Sequence, residues 1–521
     1  MLIKKTINRN DIYLFGLILL AIGIPLSNVL MSVSQIILLA NWLFDKNIFK
    51  KIKEFFFNKP ALIFSSIFLL HLIGLLYTSD FNYAFKDLRT KVPILLLPLI
   101  ISTTPKIDKK KFRLVLSFFA ASVLFASITC YYVYLTREVL DIRQISVFIS
   151  HIRFSLNICL AICILFYFAH KEDVFSKAQR YIIIVFIIWL LYFLFILQSV
   201  TGITILFLFF LIFIVYFIFY FKKWTYKLIL LTILIILPII LFLFVRTTIH
   251  SYFTVENINF KNLERTTPRG YLYYHDTINS GVENGNFIGL YICPEELKQS
   301  WAIRSKISID SNDRMGQNLS NTLIRFLNSK GLRKDADGVN ALNDNEVKAI
   351  ENGYANIIYL KHPGLHTRLY KILFEYNSYK VSRNTRGHSV FQRFELWKAA
   401  TEIIKNNFWF GVGTGDMVNV YDKQLREMNS DLAGQKLRSH NQYLSIFCAF
   451  GLIGFLIFVC FLIYPAIING SFKDFYFLSF FIILCLSMIN EDTIESQAGV
   501  TFFAFFYSFL MFSRTTAIKQ K

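Results

Sequence analysis

Residues 181–221 read YIIIVFIIWLLYFLFILQSVTGITILFLFFLIFIVYFIFYF. Their apolar side chains come in long blocks rather than at helical or strand spacing. Blocks of about 18 or more apolar residues are what a bilayer core of about 30 Å requires. The stretch divides at 198–200 into two spans, 181–197 and 201–221. Composition agrees with that reading. The 521 residues are 55% hydrophobic and 17% aromatic, with a mean hydropathy of +0.49. Only 17% are charged, against roughly a quarter in a soluble chain. The expected fold class is all-α, a polytopic membrane protein.

Working outward, the hydropathy predicts about twelve transmembrane helices: 12–25, 27–45, 60–77, 92–104, 111–135, 151–169, 181–197, 201–221, 226–245, 441–464, 473–489 and 498–513. The first and fourth are short for a span of about 20 residues. Lys4, Lys5 and Arg9 ahead of an apolar run imitate a signal peptide, but no small-residue cleavage site follows. The run reads as an uncleaved first span. Three parts follow: 1–245 with nine spans, a hydrophilic loop at 246–440, and 441–521 with three spans.

Net charge is +21. Much of it is a topology signal. Lys46, Lys50, Lys51, Lys53 and Lys59 fill the 45–59 loop, and Lys106, Lys109, Lys110, Lys111 and Arg113 the 104–113 loop. Lys222, Lys223 and Lys227, then Arg514, Lys519 and Lys521, continue the pattern, whereas 198–200 and 490–497 carry no lysine or arginine. Basic loops stay in the cytoplasm, so both termini are expected there and 246–440 outside. Nucleic acid is not an expected partner. Of the seven cysteines only Cys293 lies in a polar region, which leaves no internal disulfide there and no zinc spacing.

The hydrophilic loop reads as mostly helical. Ser300–Ser308, Leu319–Asn328 and 345–352 have helical patterning, and 389–405 is amphipathic through Val390, Phe394, Trp397, Ala400 and Ile404.

Candidate chemistry gathers at the outer interface. His440 stands in Ser439-His440-Asn441-Gln442, where the loop re-enters the membrane. Ser439 is the expected N-cap of the tenth span. A neutral imidazole at a helix start suits a general base; the plain alternative is a polar residue capping a span. Arg393, on the face of the amphipathic helix shared by Leu396 and Trp397, needs an anion. A diphosphate and an internal carboxylate such as Glu395 or Glu402 are equal readings. His151 and Arg153 open the sixth span, and Arg89 and Lys91 precede the fourth; anchoring at the interface is the plainer role for all of them. Gly411-Val412-Gly413-Thr414-Gly415-Asp416 lacks the strand and the Lys-Ser/Thr of a P-loop, and reads as a turn allowing close backbone approach. Asp335-Ala336-Asp337-Gly338 lacks the spacing of a calcium loop. His71 is the main ionisable residue inside a span, and the scarcity of such residues argues against an ion-coupled transporter.

His440-Asn441, nine residues, then Gly451-Leu452-Ile453-Gly454 resembles the His-(Asn/Ser/Gln)-x9-Gly-x-x-Gly signature of the O-antigen ligase family. Arg393-x-x-Leu396-Trp397 followed by Gly411-x-Gly413-x-Gly415 resembles the segment that precedes that signature. The motifs cover about 80 residues, and the span layout is similar over the whole chain. The resemblance implies a bacterial inner-membrane, GT-C-like glycosyltransferase with no metal or other cofactor. Its donor would be an undecaprenyl-diphosphate-linked glycan and its acceptor lipid A–core or another glycan, with membrane lipids around it. It implies catalytic roles for His440 and Arg393 and maps a second family arginine to Arg153; with the later family arginine missing, diphosphate contacts are expected of Arg153, Arg89 or Lys91. Asn441, Trp397, Gly413 and Gly415 would support them. The chain departs from the pattern at Ser199-Val200-Thr201-Gly202, where many relatives carry an arginine. The loop is also long, which marks 250–385 as a candidate acceptor-recognition addition. An O-antigen polymerase and a lipid-glycan flippase are the rival readings.

Overall fold

The computed structural model describes residues 8–514 except 138, 172–173, 256–257, 277, 279–280, 362–363, 384 and 386. Lys4, Lys5, Lys519 and Lys521 therefore lie outside the described residues. Each of the twelve predicted segments is helical. Among the described residues, eight helices are long and apolar enough to cross a membrane, a ninth candidate is a bent pair, and Phe475–Asn490 and Gln497–Phe512 are shorter apolar helices. The chain is an all-α, multi-pass membrane protein that divides into two compact units.

The first unit comprises Met1–Arg137, Ile145–Phe210 and Arg393–Lys521. It opens with α1 (Arg9–Leu26) and α2 (Asn28–Leu43), packed as a hairpin. Ser27 both ends the first helix and caps the second, its side chain accepting from Leu30 N. The 45–59 segment, expected as a loop, contains α3 (Ile48–Phe57), bent 107° from α2. Ile48, Phe49, Ile52, Phe55 and Phe56 share one face and Lys50, Lys53 and Glu54 the opposite one, so the helix is strongly amphipathic and suits an interface. Next come α4 (Lys59–Ile73), α5 (Phe81–Thr103), α6 (Lys109–Thr136), α7 (His151–Lys171), α8 (Lys177–Ile196) and α9 (Val200–Tyr220), whose residues from Leu211 onward belong to the second unit. The fourth predicted span starts eleven residues too late at 92. Asp80 caps Tyr83 N at 2.9 Å, and α5 carries Asp87 and Lys91 inward before its apolar run begins. Polar side chains lowered the hydropathy there and hid the helix start.

The second unit comprises Glu138–Gln144 and Leu211–Gln392. Within it, α10 (Trp224–Phe253) packs through Tyr252 against Tyr370 and Leu373. A two-residue hairpin, β1 (Val282–Glu283) and β2 (Asn286–Phe287), precedes α11 (Pro294–Arg304), α12 (Leu319–Ser329), α13 (Ala336–Asn340), α14 (Asp344–Glu351), α15 (Ile358–Lys361) and α16 (Leu365–Ser382). The helix expected at Ser300–Ser308 runs Pro294–Arg304 instead: Pro294 at its first position and the acids Glu295 and Glu296 favour that start. Trp301, Leu323, Phe326, Leu327 and Ile350 form a separate core. Arg325 grips the buried Glu283 with two bonds of 2.9 and 3.0 Å and lies 3.3 Å over the Phe374 ring. Asp335 caps α13 through Gly338 N.

The chain continues with α17 (Ser389–Asn406), whose residues from Arg393 onward belong to the first unit. Then follow α18 (Met417–Glu427), α19 (Gln442–Ile468), α20 (Phe475–Asn490) and α21 (Gln497–Phe512). The buried face of α17 is Leu396, Ala399, Ala400 and Ile403, while Phe394 is exposed. The predicted stripe was therefore rotated by about one position. Large side chains had outweighed two alanines that allow close packing.

Candidate active site

The site is built on two short connections. One is Arg438-Ser439-His440-Asn441, entering α19. The other is Asn490–Ser496, joining α20 to α21. His440 adopts the left-handed backbone, φ 51°. Asn441, not Ser439, caps α19, its side chain accepting from Leu444 N at 3.1 Å. Ser439 turns inward: its hydroxyl meets Ser445 Oγ at 2.8 Å and its carbonyl accepts from Trp397 Nε1 at 3.0 Å. Asp492 holds the turn from the other side. Its Oδ2 accepts from His440 N at 3.0 Å and its Oδ1 from Ser445 Oγ at 2.7 Å. The His440 ring is half-buried and has no hydrogen-bond partner among the described residues.

The same 490–492 segment gathers two of the expected cations. Arg393 donates from Nη2 to Glu491 Oε1 at 2.9 Å and from Nε to Asn490 O at 3.3 Å. Arg153, in the first turn of α7, donates from Nη2 to Asp492 O at 2.8 Å. The structure thus ties His440, Arg393, Arg153, Trp397 and Asn441 to one constellation, although three of them are more than 40 residues from the others in sequence. Glu491 is a carboxylate partner that neither Glu395 nor Glu402 anticipated.

Lys91 belongs to a second cluster three residues further along the same connection. It is 1% exposed, with Nζ 2.6 Å from Asp87 and 2.8 Å from Glu495. Arg438 completes the cluster, bonding to Glu495 and Tyr83 and approaching Asp87 at 3.5 Å. Gln442 joins it to α19, donating to Glu495 at 3.0 Å and accepting from Ile494 N at 2.9 Å. Burial opposes ionisation of both Glu495 and Arg438, yet their opposite neighbours win. Lys91 and Arg438 hold the Glu495 carboxyl well below its ordinary range. Glu495 and Asp87 hold the Arg438 guanidinium above its own. With His71, Thr414, Ser445 and Phe450 this cluster lines a cavity of about 10 Å³. Lys91 is thus committed to two carboxylates rather than anchoring at an interface. Arg89 points elsewhere on α5: it is exposed and has no ion-pair partner among the described residues. Sequence reading missed Arg438, Glu491, Asp492 and Glu495. The acids of Asn490–Glu495, an oddly charged joint between two apolar helices, were the available signal.

The glycines explain how these parts are held. Main chain pairs with main chain where 408–413 meets a break in α19: Val412 N to Cys448 O and Gly413 N to Ala449 O, both 2.9 Å, and Leu452 N to Phe408 O, 2.7 Å. Gly451 sits at the break with φ 63° and ψ −168°. A Cβ there would lie 2.3 Å from Trp409 C, and one on Gly411 would lie 2.4 Å from Ala449 C. Only glycine permits that contact. Beyond it, Thr414 Oγ1 donates to His71 O at 2.7 Å and Gly415 N to Thr78 Oγ1 at 2.8 Å. Asp416 accepts from Ser79 N at 2.8 Å and Asp80 N at 2.9 Å. Burial raises its pKa, but these bonds outweigh burial and set it below the ordinary value. The turn therefore clamps the α4–α5 junction to α19.

These observations define a multi-pass membrane protein with a polar, ion-paired centre at the ends of its helices. Residues 353–459 match the family model described as O-antigen ligase. The matched segment, about a fifth of the chain, is similar to the O-antigen ligase family. It contains Arg393, the glycine turn, His440-Asn441 and Gly451, but neither α5 nor the 490–495 connection. No curated protein matches the chain.

Proposed function

We propose that this protein is an O-antigen ligase-like glycosyltransferase of the bacterial inner membrane. It moves glycan from undecaprenyl-diphosphate to lipid A–core or a similar acceptor at the periplasmic face, without a metal. The observation that carries the reading is the attachment of His440, Arg393 and Arg153 to one segment, Asn490–Asp492. A half-buried imidazole with no hydrogen-bond partner among the described residues can accept a proton from an acceptor hydroxyl as that hydroxyl attacks the anomeric carbon. The C–O bond to the diphosphate breaks, and its charge grows on the leaving oxygen. Arg393 stabilises that charge through its fixed, planar donors. Arg153 fixes the Asp492 main chain from the α7 side, and the exposed Arg89 is the cation available to incoming phosphate. Lys91 acts from within its carboxylate cluster by holding Glu495 beneath the site.

The test is transfer by purified protein from lipid-linked donor to several acceptors. His440→Ala is expected to insert normally and lose roughly 10²–10⁴-fold in rate. Wild-type transfer by that variant refutes the base. Product built on a second lipid-linked repeat, with none on lipid A–core, makes the protein a polymerase instead.

A further inference from the structure

A second small cavity lies on the other side of Arg153. Ile24, Ile149, Leu156 and Phe502 close most of it, and Arg153 and Asn157 supply its polar wall. These two residues are one helical turn apart on α7 and face the same way. Asn157 is 2% exposed. Among the described residues, its Oδ1 and the Nη1 of Arg153 are both buried without a hydrogen-bond partner, so neither reaches the other. An unmet donor and an unmet acceptor in an apolar span are each costly. The cavity measures about 10 Å³, the space of about one water and far too little for a phosphate.

We propose that this cavity is a water site, and that Asn157 acts through it as a positioning residue for the transfer centre. The water accepts from Arg153 Nη1 and donates to Asn157 Oδ1, each at about 2.9 Å. The inference rests on the transferase reading and extends it by one link. Asn157 fixes the water, the water fixes the Arg153 guanidinium, and Nη2 of that guanidinium fixes Asp492 O at 2.8 Å. Asp492 then sets the His440 main chain, while the adjoining Asn490 and Glu491 set Arg393. The base and the leaving-group cation therefore share one buried brace that touches no substrate. Orientation errors of about 1 Å at a reacting centre cost roughly 10²-fold in rate.

Asn157→Leu keeps the side chain's size and removes the acceptor. Asn157→Asp keeps an acceptor for the same guanidinium. Leucine is expected to lower kcat about 10-fold to 100-fold, with KM for the lipid-linked donor within about twofold. Aspartate is expected to recover most of that loss. Wild-type kcat in the leucine variant overturns the proposal. So does a raised donor KM at unchanged kcat, because Asn157 would then touch the donor. A second readout needs no activity: cryo-EM of the wild-type protein, at a resolution that shows other buried waters, should show density within hydrogen-bond reach of both atoms. A blank there overturns the water site. A wild-type protein that transfers glycan to no acceptor would sink the transferase reading while leaving the density test intact.

Discussion

At the scale of single residues, His440 combines an unusual backbone with an unengaged ring. An L-residue in the left-handed region costs about 1–2 kcal/mol, so the turn is held by its bonds to Asp492 rather than by local preference. Glycine relieves that cost. His440→Gly is expected to melt no lower than wild type in detergent and to be inactive, with transfer partly restored by added imidazole. Activity that stays flat as imidazole is added would point to a structural part for the side chain. Sequence alone suggested His440 and Arg393 because a histidine at a helix start and an arginine on a packing face both ask for a reason. It could not supply Glu491 as the partner of Arg393, since pairing across 98 residues leaves no local trace. It also misassigned the cap, because Ser439 and Asn441 are both good capping residues and only tertiary contacts to Trp397 and Ser445 choose between them.

At the scale of elements, the signature His-Asn-x9-Gly-x-x-Gly marks two structural events ten residues apart. The first is the cap of α19, the second its break at Gly451. Gly451→Ala forces a side chain into a backbone region nearly confined to glycine, for about 1–3 kcal/mol. It also drives Cβ against the 409–410 main chain. A lower melting temperature and reduced transfer are expected together. An alanine variant as stable as wild type would show that the contact can open. The twelve apolar segments were legible as helices, because apolar blocks are written locally, whereas α3, inside a segment expected as a loop, was not. The start of α5 and the buried face of α17 were less so. In the first case buried ion pairs look like surface charge, and in the second alanines look like nothing in particular.

At the scale of the whole molecule, each unit has its own apolar core, and in the first a buried ion cluster joins distant elements. Lys91, Asp87, Arg438 and Glu495 join α5, the entry to α19 and the α20–α21 connection. Because the folded Glu495 pKa lies well below its ordinary 4.5, the folded form binds fewer protons than the unfolded one just below that pH. Glu495 therefore adds stability above about pH 4.5 that is lost as pH falls toward its folded value. Glu495→Gln removes this dependence and leaves two cations facing Asp87, at a cost of about 3–5 kcal/mol. Hydrogen exchange should then rise in α5 and α21 while the core around Trp301, Phe326 and Ile350 stays protected. Equal loosening of both would contradict separate cores.

The centre's formal charges have a bearing on turnover. Lys91, Arg153, Arg393 and Arg438 face Asp87, Glu491, Asp492 and Glu495, and the sum is zero. On the proposed transferase reading, such a centre would add little to the pull of the exposed Arg89 on a pyrophosphate, and the carrier's isoprenoid tail would have to deliver it. On that reading Glu491 would reclaim the Arg393 guanidinium from the spent carrier once the glycan had left, which would suit the site to letting go of its product.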